Sequence, residues 1–81
     1  MNATTRNAIA RQVSAIQSRQ LTWAQTRVAT AIAHRWDGEL PTPVVVAAAI
    51  DLDAQGPQWA FKIERGYFLD VVRDAIDKAT A

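Results

Sequence analysis

Hydrophobic side chains recur at helical intervals along the first part of the chain. Ile9, Val13 and Ile16 are spaced by four and three; Leu21, Ala24, Val28 and Ile32 follow the same rule, with Ala29 and Trp36 widening the second stripe. Residues three and four apart share one face of an α-helix, so residues 4–36 are read as helical. The two stripes do not align, their centres lying roughly 90° apart around the helix axis. Between them lies Leu21-Thr22-Trp23-Ala24-Gln25. Thr22 and Gln25 have the spacing of a capping box, in which the threonine oxygen accepts an amide proton and the glutamine reaches back. A single helix from Thr5 to Trp36 would be about 48 Å long, against a radius of gyration of about 12 Å for a compact chain of this size. A break near Gln20–Thr22 that folds the segment into a helix pair is therefore favoured over a straight rod covered by a second chain. Asp37-Gly38 ends the run in either case, with glycine suited to a left-handed cap.

Residues 43–65 satisfy two patterns at once. Thr42-Pro43 is a good helix start and Gly56-Pro57 a good helix stop. Against a helix stand three consecutive valines and the apolar–acid alternation of Ile50-Asp51-Leu52-Asp53. From Gln58 to Arg65, Trp59, Phe61 and Ile63 alternate with Ala60, Lys62 and Glu64. That is period two, with aromatic and β-branched residues on the inner face. The reading is a β-hairpin, Val44–Asp53 pairing with Gln58–Arg65 across Ala54-Gln55-Gly56-Pro57. A last helix follows Gly66, from about Tyr67 to Ala79, with Phe68, Val72, Ala75, Ile76 and Ala79 inward and Asp70, Asp74 and Asp77 as an acid stripe outward. The expected architecture is α+β, in one small domain over residues 1–81: a helical N-terminal half, a β-hairpin and a C-terminal helix. The alternative is all-α, with residues 43–54 helical.

Composition limits the options further. The chain has 81 residues and is 49% hydrophobic, but much of that fraction is alanine, which favours helix without filling volume. Large side chains such as Ile16, Ile32, Ile50, Trp59, Phe61 and Phe68 are therefore expected to carry the packing. A core this small is often completed by a second copy, and an unpaired hairpin edge points the same way, so a homodimer is expected. Cysteine is absent and histidine occurs once, which removes disulfides and thiolate metal sites. No stretch approaches the roughly 18 apolar residues of a membrane span, and no secretion signal is recognisable, so a cytoplasmic protein is expected. Arginine outnumbers lysine seven to two, and with the alanine content this suggests a GC-rich bacterial genome.

Charge is divided along the chain. Arg6, Arg11, Arg19, Arg27 and Arg35 precede the first acid, Asp37, giving the first 36 residues a formal +5. All eight acids lie after them, against Lys62, Arg65, Arg73 and Lys78, giving −4. Such a division speaks of partners rather than of fold.

Catalytic chemistry finds little support. His34 is the only imidazole, and no serine is marked as activated by a neighbouring base. Asp51, Asp53, Lys62 and Glu64 would share the outer face of the hairpin, a set better read as solvated cross-strand ion pairs than as a metal site. Three glycines, at 38, 56 and 66, cannot build a phosphate cradle. No enzyme activity, cofactor or metal is expected. Nucleic-acid binding by the arginines is the alternative function, weakened because Arg11, Arg19, Arg27 and Arg35 wind around the helix axis and total charge is low. Protein association has the most support. Trp23 projects with Arg27, Thr30 and His34, away from Val28 and Ile32, and a Trp–Arg pair at i and i+4 is a common interface anchor. The expected function is that of a non-catalytic bacterial accessory protein that binds a partner through a basic helical face, with Arg19, Trp23, Arg27 and His34 as the contact residues.

Overall fold

The computed structural model describes residues 2–66 and 69–81, and among them the chain forms five α-helices and no strand. They are α1 (Ala3–Gln17), α2 (Trp23–Arg35), α3 (Thr42–Asp53), α4 (Trp59–Glu64) and α5 (Leu69–Thr80). The α+β expectation is thus corrected to all-α, and the two-fold pairing of hairpin edges falls with the hairpin. The helices pack into a body of 33 × 26 × 25 Å with a radius of gyration of 11.5 Å.

The N-terminal half breaks where its two apolar stripes change phase. Asn2 caps α1, its Oδ1 accepting the Thr5 N–H at 2.8 Å. The Ser18 hydroxyl closes the other end by donating to the Ala15 carbonyl at 2.8 Å. α2 then begins on the capping box: Thr22 Oγ1 accepts the Gln25 N–H at 3.1 Å, and Gln25 Oε1 accepts the Thr22 N–H at 3.0 Å. Such a cap contributes about 1 kcal/mol and fixes the point from which α2 folds back along α1.

At its C-terminal end α2 closes with two consecutive left-handed residues, Asp37 (φ 57°) and Gly38 (φ 70°). The Gly38 N–H donates to the Ala33 carbonyl at 2.8 Å and the Asp37 N–H to His34 at 3.3 Å. This is a Schellman closure in which an aspartate, rather than the expected glycine, holds the first left-handed position. Gly38 serves a second purpose. A Cβ there would lie 2.7 Å from the Ala8 carbonyl carbon and 2.8 Å from the Ile9 amide nitrogen, so the α2 turn is seated directly on the backbone of α1.

Residues 42–53 are helical because burial outweighs the weak preference of valine for extended backbone. Proline sits in the first turn, and Val45, Val46, Ala48, Ala49 and Leu52 are all buried. α3 packs against α1, α2 and α5, which is why its apolar residues surround so much of the axis and show no clean stripe. The helix disfavours each valine by less than about 0.7 kcal/mol, whereas burying one is worth about 1.5 kcal/mol or more. In α4 the alternation was misleading. Trp59, Ala60 and Ile63 are buried, a helical grouping, whereas Phe61 is 50% exposed. Trp59 and Ile63 fit either period, since i and i+4 coincide on a strand and on a helix.

Alanine does more of the packing than expected. Ala29, Ala31, Ala33, Ala48, Ala49, Ala60 and Ala75 are all buried and belong to one continuous cluster with Ile16, Val28, Ile32, Leu52, Ile63 and Val72. Small side chains on facing helices let their backbones approach, so volume is filled by main chain as well as by large residues. Ile50 is 45% exposed and lies outside this cluster. α5 is as expected where described: Val72, Ala75 and Ile76 face in, and Asp70, Asp74 and Asp77 face out. The expected inward role of Phe68 and the helix start at Tyr67 lie outside the described residues.

Candidate docking face

α2 is held on its inner side by Val28, Ala29 and Ile32, all fully buried, and by its packing on α1, α3 and α4. Its outer side is therefore set by what lies half a turn away. Trp23, Arg27, Thr30 and His34 follow one another at intervals of four, three and four, which places them on a single outward row. Trp23 is 73% exposed, and the Arg27 guanidinium lies over its ring, 5.2 Å from the centroid. Arg27 and His34 are exposed and Thr30 half-buried. The structure thus brings three of the four expected contact residues together. The fourth, Arg19, is exposed on the turn between α1 and α2, off the helical row.

The electrostatics of this face are set by what is missing from it. Residues 2–36 contain no carboxylate, and all five of their arginines are exposed. Lys78 and Asp51 form an ion pair at 3.8 Å. None of Arg6, Arg11, Arg19, Arg27 and Arg35 takes part in it, and the acid stripe of α5 neutralises none of them. The Arg73–Asp77 and Asp74–Lys78 pairs that the sequence allows do not form; Lys78 reaches α3 instead.

Beside the row runs a groove of about 530 Å³ between α1 and α2. Ile9, Ala10 and Val13 line it together with Arg6, Gln17 and His34. An apolar trough with a guanidinium and an imidazole on its margins can seat an aliphatic or aromatic side chain while the guanidinium meets an acid beside it. The sequence signalled the residues of α1 as a core stripe, but not that the stripe is wider than α2 can cover.

Two further aromatic–cation pairs lie at α4, where the Lys62 ammonium sits 4.8 Å from the Trp59 ring centroid and the guanidinium of Arg65, the residue that caps the helix, 4.1 Å from that of Phe61. The expected outer-face set of Asp51, Asp53, Lys62 and Glu64 is divided between α3 and α4, and Asp51 is engaged with Lys78. Among the described residues no group of three or more acids and histidines is placed to hold a metal ion, and no helix is long and apolar enough to cross a membrane. Comparison with known proteins gives no matching family model, no matching curated protein and no matching solved structure.

Proposed function

We propose that this chain is a non-catalytic bacterial accessory protein that acts by occupying an acidic protein surface through its α1–α2 face. The observation that carries the reading is an exposed tryptophan stacked by arginine, on a surface whose guanidinium groups have no carboxylate partner. A solvent-facing indole is unfavourable to expose, and pairing it with Arg27 preorganises both groups for a partner. Trp and Arg are the residues most enriched among those that dominate interface energies. The uncompensated positive charge selects for acids and speeds encounter with them.

The apolar groove favours a protein over a nucleic acid as that partner. Its walls of Ile9, Ala10 and Val13 suit an aliphatic or aromatic anchor and offer little to a phosphate. Nor do the arginines form a track. On α1, Arg6 borders this groove, whereas Arg11 borders a separate hollow against Gly38 and Thr42. A nucleic-acid binder aligns its cations along one backbone.

The test compares immobilised wild-type chain with the double variant Trp23→Ala/Arg27→Glu in bacterial extract, with and without nuclease treatment. Both positions are exposed, so the variant keeps its helical circular dichroism. Proteins retained by the wild type from the treated extract should lose about 30-fold or more in affinity on the variant, the effect of removing an interface anchor worth about 2 kcal/mol. Equal retention on both would dismiss the face. Retention that vanishes on nuclease treatment and falls steeply with salt would assign the arginines to nucleic acid instead.

A further inference from the structure

The outward row of α2 has a counterpart elsewhere in the same chain. On α5 the exposed carboxylates Asp70, Asp74 and Asp77 are separated by four and three residues. On α2 the residues Arg27, Thr30 and His34 are separated by three and four. Laid antiparallel, the two rows match step for step: Arg27 meets Asp77, Thr30 meets Asp74 and His34 meets Asp70. The matches set a guanidinium, a hydroxyl and an imidazole N–H against carboxylates. With a rise of about 1.5 Å per residue, both rows span roughly 10 Å, and spacing by three and four is that of a helix–helix seam.

One chain cannot close this contact on itself. α5 is packed on α3 through Val72, Ala75 and Ile76, with its acids on the opposite side. The α2 row likewise points away from the core. Two outward faces of one convex body do not meet, and no α5 carboxylate lies within 4.0 Å of an α2 cation.

We propose that the acid stripe of α5 in one copy of this chain docks antiparallel on the Trp23–Arg27–Thr30–His34 row of a second copy. The contact joins two different faces, so it is heterologous and builds a ring or a head-to-tail chain rather than a two-fold dimer. It rests on the reading of the α2 row as a docking surface and specifies one occupant for it. Being made of exposed ion pairs, it is weak and sensitive to salt.

Sedimentation equilibrium at low ionic strength tests it with two variants, each disabling one face. The wild type should rise above the 8.9 kDa of a single chain as concentration increases, and return to that mass in high salt. Arg27→Ala/His34→Ala keeps only the acid stripe, and Asp70→Asn/Asp74→Asn/Asp77→Asn keeps only the basic row. Each alone should remain a monomer. An equimolar mixture should form a 1:1 complex, because each supplies the face that the other lacks. A wild type that stays at monomer mass at every concentration overturns the proposal, as does either variant associating like the wild type or a mixture that remains monomeric. A monomeric wild type that still retains a partner in an Arg27-dependent manner would remove this inference and leave the docking face in place.

Discussion

Gly38→Ala is expected to destabilise the fold by about 3 kcal/mol or more, through two effects that add. The first is conformational: Gly38 has φ 70°, and a side chain in left-handed backbone costs roughly 1–2 kcal/mol. The second is steric: the new methyl would lie 2.7–2.9 Å from three backbone atoms of Ala8 and Ile9. Main chain inside a helix cannot swing aside as a flexible side chain can, so α1 would have to lift from the turn, a further penalty of about 1–3 kcal/mol. A domain of this size is stable by only about 4–12 kcal/mol, so the loss is a large share of the whole. The midpoint of thermal unfolding should fall by about 12 °C or more. Gly66→Ala is the matched control, for Gly66 has φ 76° but nothing within 4 Å of its Cβ position. It should lose only the conformational part. Urea titrations of both variants, followed by circular dichroism, separate the two effects. Equal losses would mean that α1 does not rest on this turn.

Gln12→Glu should be nearly as damaging at neutral pH and should recover on acidification. Gln12 is 6% exposed, and its Nε2 donates to the Leu40 carbonyl. Its Oε1 is buried without a hydrogen-bond partner among the described residues. Replacing the donor by a second oxygen sets a carboxylate against a carbonyl, with neither carboxylate oxygen satisfied. Burial without donors raises the pKa of such a carboxyl well above the ordinary value of about 4.3, and each unit corresponds to about 1.4 kcal/mol. A loss of about 3 kcal/mol is therefore expected at neutral pH. The sign follows from the raised folded-state pKa. The deficit is complete above that pKa and shrinks as pH falls through it, because the protonated carboxyl can again donate to Leu40. Gln12→Met removes the orphan oxygen together with the donor at nearly constant volume, and should lose far less than Gln12→Glu. Urea midpoints of both variants relative to wild type, at neutral pH and at about pH 4.5, give the answer. A Gln12→Glu chain as stable as wild type at neutral pH would show that this side chain is not buried.

Where one pattern excluded the others, the sequence could be read directly. Thr22 and Gln25 marked the start of α2 because a capping box needs both residues at that spacing, and both hydrogen bonds form. The outward row of Trp23, Arg27, Thr30 and His34 followed from its opposition to Val28 and Ile32. The hairpin failed for a physical reason rather than an accidental one. Residues 59, 61 and 63 alternate, yet 59 and 63 also share a helical face. Ala60 and Phe61 separate strand from helix: Ala60 is buried, and Phe61 is half exposed beneath Arg65. Val44-Val45-Val46 suggested extended backbone, but α3 is covered by three helices, and burial on several sides outweighs a local preference. The groove beside His34 was illegible for a related reason, since it depends on how much of α1 is left uncovered once α2 has packed. Gln12 stands three residues after Ile9 and four before Ile16, on the buried side of α1, but nothing in the sequence marked the Leu40 carbonyl as its partner.

The docking reading requires that Trp23 be bare and that its surroundings be positive without compensation. Selective quenching of its fluorescence tests both conditions at once. The emission that disappears in Trp23→Phe isolates this indole from Trp36 and Trp59, which are partly and almost fully buried. In the chain held dilute enough to be monomeric, at low ionic strength, that component should emit at long wavelength and be quenched far more strongly by iodide than by caesium, because the guanidinium groups concentrate the anion. A short-wavelength component shielded from both ions, or one quenched as well by caesium as by iodide, would contradict the account.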